Sequence, residues 1–267
     1  MLPAASSNGT VLVTGASSGI GAEIAREFAS RGRHVVLLAR RAEKLHELAE
    51  SLGSAAVVLA TDLSKADERA ALPGRVADLG LVVDVLVNNA GLSTSGPIAA
   101  SDPVAELNLI EVDVAAVADL CSRFVPGMVA RGSGAVLNVA SVGAFGPVPG
   151  QAAYGAAKAF VLSYTQALGQ ELQGTGVIVA TLCPGPVKTG FGEAAGISDE
   201  DAEAALPKVM WVDADEVARA AIDGLASGKT VIVPGAFNKI GAVAYQHLPR
   251  RLLLPILGRS HPALKKR

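Results

Sequence analysis

Short β-branched runs alternate with longer amphipathic ones along almost the whole chain, and nothing else in the sequence constrains the fold so strongly. Strands are expected at Thr10–Thr14, His34–Ala39, Ala55–Thr61, Val83–Val87, Ala135–Ala140, Val177–Leu182 and Thr230–Val233. Their near-continuous apolar character suits parallel strands covered on both faces. Helical patterns fall between them, at Gly19–Ser30, Ala42–Ser51, Lys65–Leu79, Asp102–Val129, Gln151–Leu172 and Asp213–Ala226. Strict alternation means a parallel α/β sheet with right-handed crossovers. A closed barrel would want eight units. The expectation is therefore an open, Rossmann-like, doubly wound sheet of about seven strands with helices on both faces.

Composition agrees with a large buried core, since 50% of the 267 residues are hydrophobic and 18% are charged. A net charge of -2 offers no field for nucleic acid, which is excluded as a partner. Two cysteines, Cys121 and Cys183, are too few for a disulfide scaffold and point to a reducing, cytoplasmic setting. The start, MLPAASSNG, has neither the basic nor the apolar region of a secretory signal. His34, His46, His247 and His261 are scattered, so no metal site is expected. One domain is expected over residues 1–236, followed by a tail at 237–267.

Ligands of such sheets bind beyond the carboxyl ends of the strands. After the first strand comes Thr14-Gly15-Ala16-Ser17-Ser18-Gly19-Ile20-Gly21, opening a helix. Gly15 permits a tight turn, Gly19 lets a pyrophosphate approach the helix N-terminus, and Gly21 allows close packing. The lysine of a phosphate-binding P-loop is missing. NAD sites usually carry an acidic residue at the end of the second strand, but here the chain reads Leu38-Ala39-Arg40-Arg41. A guanidinium fork suits a 2′-phosphate, so NADP(H) is expected before NAD(H).

Tyr154 and Lys158 lie four apart on one helix face, and Ser141 ends the fifth strand. A phenol ionises near pH 10, too high for acid–base work at neutrality, but a neighbouring ammonium favours the phenolate. Tyr154 could then exchange a proton with an alcohol or carbonyl oxygen during hydride transfer, Ser141 holding that oxygen.

TGASSGIG at 14–21, Asp62, NNAG at 88–91, Ser141, Tyr154 with Lys158, and Pro184-Gly185 with Thr189 together resemble the short-chain dehydrogenase/reductase family, its short single-domain type. The resemblance covers residues 9–235 and implies a substrate lid near residues 190–211. It implies that Gly15, Ser17, Ser18, Gly19, Ile20, Arg40 and Arg41 hold the cofactor, with Asp62 and Leu63 flanking the adenine. Asn89 and Ala90 would line the adenosine ribose. Pro184, Val187 and Thr189 would serve the nicotinamide side, and Tyr154 and Lys158 the nicotinamide ribose. The family usually has an Asn on the long helix before the fifth strand; here the matching position is Asp113, the fourth candidate catalytic residue. If the role runs through the main-chain carbonyl Asp can serve, and if it needs an amide donor it cannot.

The implied activity is interconversion of an alcohol and a carbonyl, with an apolar substrate suggested by Phe191, Met210 and Trp211, and with Phe145, Pro147 and Pro149 expected to line the same cleft. The alternative is a non-catalytic NADP-binding regulatory or scaffold protein. A homodimer or homotetramer is expected by resemblance. Residues 224–267 carry eight basic side chains and no acidic one, and removing these eight charges from -2 leaves -10 on residues 1–223. Leu252–Leu257 beside Arg250, Arg251 and Arg259 could meet an anionic membrane surface, giving a membrane-peripheral protein, although Pro255 is expected to break a continuous helix there.

Overall fold

The computed structural model describes residues 2–194, 196, 206–260 and 264. Seven strands form one parallel sheet in the order β3-β2-β1-β4-β5-β6-β7. They are β1 (Gly9–Thr14), β2 (His34–Ala39), β3 (Ala56–Ala60), β4 (Val82–Asn88), β5 (Gly134–Val139), β6 (Val177–Leu182) and β7 (Val231–Ile232). The order reverses between β1 and β4, so the crevice for a ligand opens beyond the carboxyl ends of these two strands.

Helices α1 (Gly19–Ser30), α2 (Ala42–Leu52), α3 (Ala66–Asp78), α4 (Pro103–Ile110), α5 (Ala116–Arg131), α6 (Ala152–Glu171) and α7 (Ala214–Ala226) connect the strands. The apolar side chains of β1 alternate between two cores. Val11 and Val13 pack with Ile24, Phe28 and Ala221 on one face. Leu12 joins Leu72, Leu120 and Met128 on the other. Burial on both faces is why the strands read as continuous apolar runs.

Two expectations are corrected. The helix expected over 102–129 is interrupted between α4 and α5 by a π-helical turn, Glu111–Ala115, which carries Asp113. The tail is helical where a break was expected: α8 (Ala236–His247) is followed by α9 (Arg250–Ser260), which runs through Pro255. Pro255 is exposed, so the carbonyl that its missing N–H leaves unpaired can meet solvent. Among the described residues no helix is long and apolar enough to cross a membrane.

Helix α8 lies on the turn that follows β5. Its Asn238 is buried and donates to the carbonyls of Met210 (2.9 Å) and Pro234 (3.1 Å). The Tyr245 hydroxyl donates to the Pro147 carbonyl.

Candidate active site

The turn after β1 is built on bare backbone. Gly15 (φ +67°) and Gly19 (φ +57°) occupy the left-handed region that glycine tolerates. A methyl group on Gly15 would lie 2.8 Å from Ala90 Cα, and one on Gly19 would lie 2.9 Å from Thr189 Cβ. The turn therefore touches the segments after β4 and β6 directly. Thr14 Oγ1 accepts from the Asn89 and Ala90 N–H groups at 2.9 and 3.0 Å, and the Asn89 amide donates to the Thr14 carbonyl at 2.9 Å. In this structure Asn89 braces the glycine turn, and its side-chain N also crowds Gly21, which has no room for a Cβ.

Helix α1 begins here with no acidic residue in its first turn and no side-chain cap. Its first N–H groups are donors for an anion. The hydroxyls of Ser17 and Ser18 instead accept from Arg41 Nη2 at 2.9 and 3.0 Å, so the guanidinium reaches over the glycine turn. Across the turn, burial alone would raise the Asp62 carboxyl. Hydrogen bonds from the Ser64 N–H and hydroxyl, with the charges of Arg40 and Lys65, hold it below the usual range. Arg40 and Asp62 thus share one end of the crevice. Leu63 points into the core and its carbonyl accepts from the buried Arg69. Ile20 and Val187 pack against the core on the other face.

Ser141, two residues beyond the end of β5, starts a 3-10 turn, Val142–Phe145, accepting from the Gly143 N–H at 3.0 Å. The buried Pro184 fixes that turn, because its carbonyl accepts from the Val142 N–H at 2.9 Å. Helix α6 then presents Tyr154 and Lys158 on one face. Lys158 Nζ lies 5.7 Å from the centre of the Tyr154 ring and donates to the Val139 carbonyl at 3.2 Å. Phe191 flanks the tyrosine, with ring centres 6.0 Å apart.

Lys158 is buried, and so is its counter-charge. Asp113 Oδ2 lies 3.0 Å from Lys158 Nζ, and Asp113 Oδ1 accepts from the Leu92 N–H at 2.7 Å. Burial alone would lower the Lys158 ammonium, but the charges of Asp113 and Tyr154 outweigh it and hold the group above its ordinary value. Burial pushes the Asp113 carboxyl up, against the pull of Lys158 and the Leu92 N–H. The π turn places Asp113 here: the extra residue per turn rotates its side chain off the apolar stripe and into the site.

Several contacts give no local sequence signal. Asn88 donates to Asn138 Oδ1 at 2.8 Å, and Asn138 donates to Thr165 Oγ1 at 2.9 Å, a buried chain from β4 through β5 to α6. Asn88 and Asn138 are register partners, so two asparagines at strand ends were the available clue. Phe145, Pro147 and Pro149 line a groove of about 400 Å³ with Ala152, Ala156 and Arg250. Ala152 and Ala156 lie on the side of α6 turned away from Tyr154, so this groove is separate from the reaction centre. Among the described residues no three His, Cys, Asp or Glu side chains gather as metal ligands.

The family model described as short chain dehydrogenase matches residues 9–199. The chain belongs to the short-chain dehydrogenase family. A short chain dehydrogenase of Pseudocercospora fijiensis is 40% identical over 191 residues, covering 68% of this chain and 61% of that relative's length, less than two thirds of it. A short-chain dehydrogenase from Sphingobium yanoikuyae, solved in complex with NADPH, is 34% identical with a TM-score of 0.78, covering 94% of this chain and 93% of that one. A 3-ketoacyl-(acyl-carrier-protein) reductase from Brucella melitensis, complexed with NADH, is 29% identical with a TM-score of 0.77 over 86% of this chain and 97% of that one. This short-chain dehydrogenase is an oxidoreductase acting on CH–OH or C=O groups with a nicotinamide dinucleotide.

Proposed function

We propose that this short-chain dehydrogenase interconverts an apolar alcohol and its carbonyl compound with NADP(H), Tyr154 acting as the acid–base group. The observation that carries the reading is a buried, cationic Lys158 beneath a half-buried Tyr154 at the carboxyl edge of the sheet. The bound nicotinamide supplies or accepts the hydride. Ser141, on the turn after β5, positions the substrate oxygen, and Tyr154 exchanges the proton with that oxygen. Lys158 favours the phenolate when it forms.

The residues present fit a dinucleotide. Side chains at 15 and 19 would collide with Ala90 and Thr189, so the turn stays bare backbone that a pyrophosphate can approach, and the first turn of α1 offers N–H donors. Arg41, poised over Ser17 and Ser18, supports NADP(H) over NAD(H) through its fork geometry. The exposed Phe191 beside Tyr154 supports an apolar substrate. Exposed Val104 and Leu107 on α4 support the homo-oligomer expected by resemblance. The non-catalytic alternative draws on the Asp113 departure alone, and Asp113 pairs with Lys158 rather than displacing it.

The test is loss of NADPH absorbance against aldehydes and ketones, both long-chain lipophilic and small polar, with Tyr154→Phe as control. Turnover on lipophilic carbonyls that disappears in the control is the expected result; activity surviving in Tyr154→Phe refutes the mechanism. Arg41→Asp raises KM for NADPH about 10- to 100-fold, the loss of a charge-assisted phosphate contact, and leaves KM for NADH within a few-fold. Equal wild-type constants for the two cofactors would end the NADP(H) assignment.

A further inference from the structure

The groove beside α6 takes no part in the reaction proposed above. Ala152 and Ala156 lie one turn apart on α6, and their small side chains leave a trough there. Phe145, Pro147 and Val148 supply more of its apolar wall, and the whole encloses about 400 Å³. Small-molecule sites run from about 300 to 1,000 Å³, so the space is large enough for a ligand.

The wall is held in place from two sides. Tyr245 on α8 donates its hydroxyl to the Pro147 carbonyl, and its ring lies against Gly146, where a methyl group would come within 2.8 Å of it. A methyl group on Gly155 of α6 would lie 2.9 Å from Val148 Cγ2. The segment 145–149 is therefore seated on both helices, and a ligand would enter a groove that is already formed. Charge enters from one side chain. Arg250, the first residue of α9, lines the groove, and among the described residues no carboxylate pairs with it. Its own segment cannot neutralise it, because residues 224–267 contain no Asp or Glu.

We propose that this groove binds a medium-chain fatty acid, with the alkyl chain in the apolar trough and the carboxylate on Arg250. One guanidinium at an apolar groove matches an amphiphile with one anionic end, and the planar fork suits a carboxylate by two parallel N–H bonds. At about 30 Å³ for each water-sized group the groove holds on the order of a dozen, which fits a chain of about ten carbons with its carboxylate. A peptide or a nucleotide would bring polar groups that these walls leave unpaired. The site uses neither Tyr154, Lys158 nor the dinucleotide turn, so it goes beyond the oxidoreductase reading and is tested without turnover.

The test is calorimetric titration of the full-length, cofactor-free protein with hexanoate, octanoate and decanoate, each below its micellar concentration. Affinity should rise about two- to fourfold for each added methylene, the gain from burying it against an apolar wall. Ala152→Phe and Ala156→Trp, both at exposed positions, fill the trough and should each abolish decanoate binding. Arg250→Gln should weaken decanoate by about two- to fivefold, the scale of an exposed ion pair, and leave decanol unchanged. Phe191→Ala, beside Tyr154, should leave decanoate binding as it is in wild type. No saturable binding to wild type, binding that survives both filled-groove variants, or binding lost in Phe191→Ala would overturn the proposal. So would a change of molecular mass on sedimentation of the two filled-groove variants, since a second copy of the chain would then be the occupant. Circular dichroism confirms the fold of each variant; if neither filled-groove variant folds, the decanoate and decanol comparison in Arg250→Gln decides, and equal losses for the two ligands reject the site.

Discussion

Replacing Lys158 by Met tests whether the buried pair holds the centre of the molecule together. The Asp113 side chain is fully buried, and without Lys158 the one partner it keeps among the described residues is the Leu92 N–H. Stranding one member of a buried ion pair costs about 3–5 kcal/mol, because the remaining charge has lost its solvent as well as its partner. Each kcal/mol moves the melting temperature of a domain this size by about 2–4 °C, so Lys158→Met should melt on the order of 10 °C lower at neutral pH. Burial raises the folded-state pKa of Asp113, and in the variant no ammonium opposes it. A carboxyl whose folded value lies above its unfolded one destabilises the fold at high pH. The deficit should therefore shrink as pH falls through the folded value and vanish below the unfolded value near pH 4. Adding Asp113→Asn should restore much of the loss, since the stranded charge is gone. Thermal melts by circular dichroism of the wild type, both single variants and the double variant, between neutral and mildly acid pH, complete the cycle. A single variant melting within a degree or two of wild type would refute the reasoning. So would a deficit that does not change with pH, or a double variant whose losses simply add.

Two further outcomes follow from the geometry. Gly19→Ala places a methyl group 2.9 Å from Thr189 Cβ at a positive φ, whereas Gly32→Ala at φ +75° meets nothing within 4 Å. Both should lose about 1–2 kcal/mol of stability to backbone strain, but only Gly19→Ala should weaken dinucleotide binding, measured by quenching of Trp211 fluorescence or by calorimetry. Burial pushes the Cys121 and Cys183 thiols up to about 11 and about 12, so the folded protein should resist iodoacetamide at pH 8 while the unfolded chain reacts at both. Rapid labelling of either thiol in the folded protein, read by mass spectrometry, would contradict that burial.

The sheet was legible because parallel strands buried on both faces leave an uninterrupted apolar signature. His34–Ala39 and Val177–Leu182 were read to the residue, and Gly19–Ser30 likewise from its glycine start. Tyr154 and Lys158 were legible because spacing by four is itself a statement about geometry. The π turn was not, since one inserted residue leaves an apolar pattern too short to betray a change of period. Its trace was a carboxylate set between Val112 and Val114, a charge where the stripe called for a hydrocarbon. The helices after β7 were hidden for a different reason. Pro255 reads as a break, yet it is exposed and carried inside α9, while α8 starts from Gly235 at its N-cap.

Helix α8 shows why part of the candidate site could not have been found in the sequence. Asn238 is one polar residue in a Gly- and Ala-rich segment, and locally it reads as a solvated side chain. Its meaning comes from burial. The Asn238 side chain crowds Gly185, immediately after the buried Pro184 that fixes the Ser141 turn, and its amide holds the carbonyls of Met210 and Pro234. One amide thus ties together the segment after β6, the segment that carries Met210 and Trp211, and the start of α8. Tyr245, two turns further along, holds the Pro147 carbonyl on the Ser141 side. The residues that perform the chemistry lie on elements a pattern can reveal, whereas those that set their spacing are placed by tertiary contacts between segments far apart in the chain.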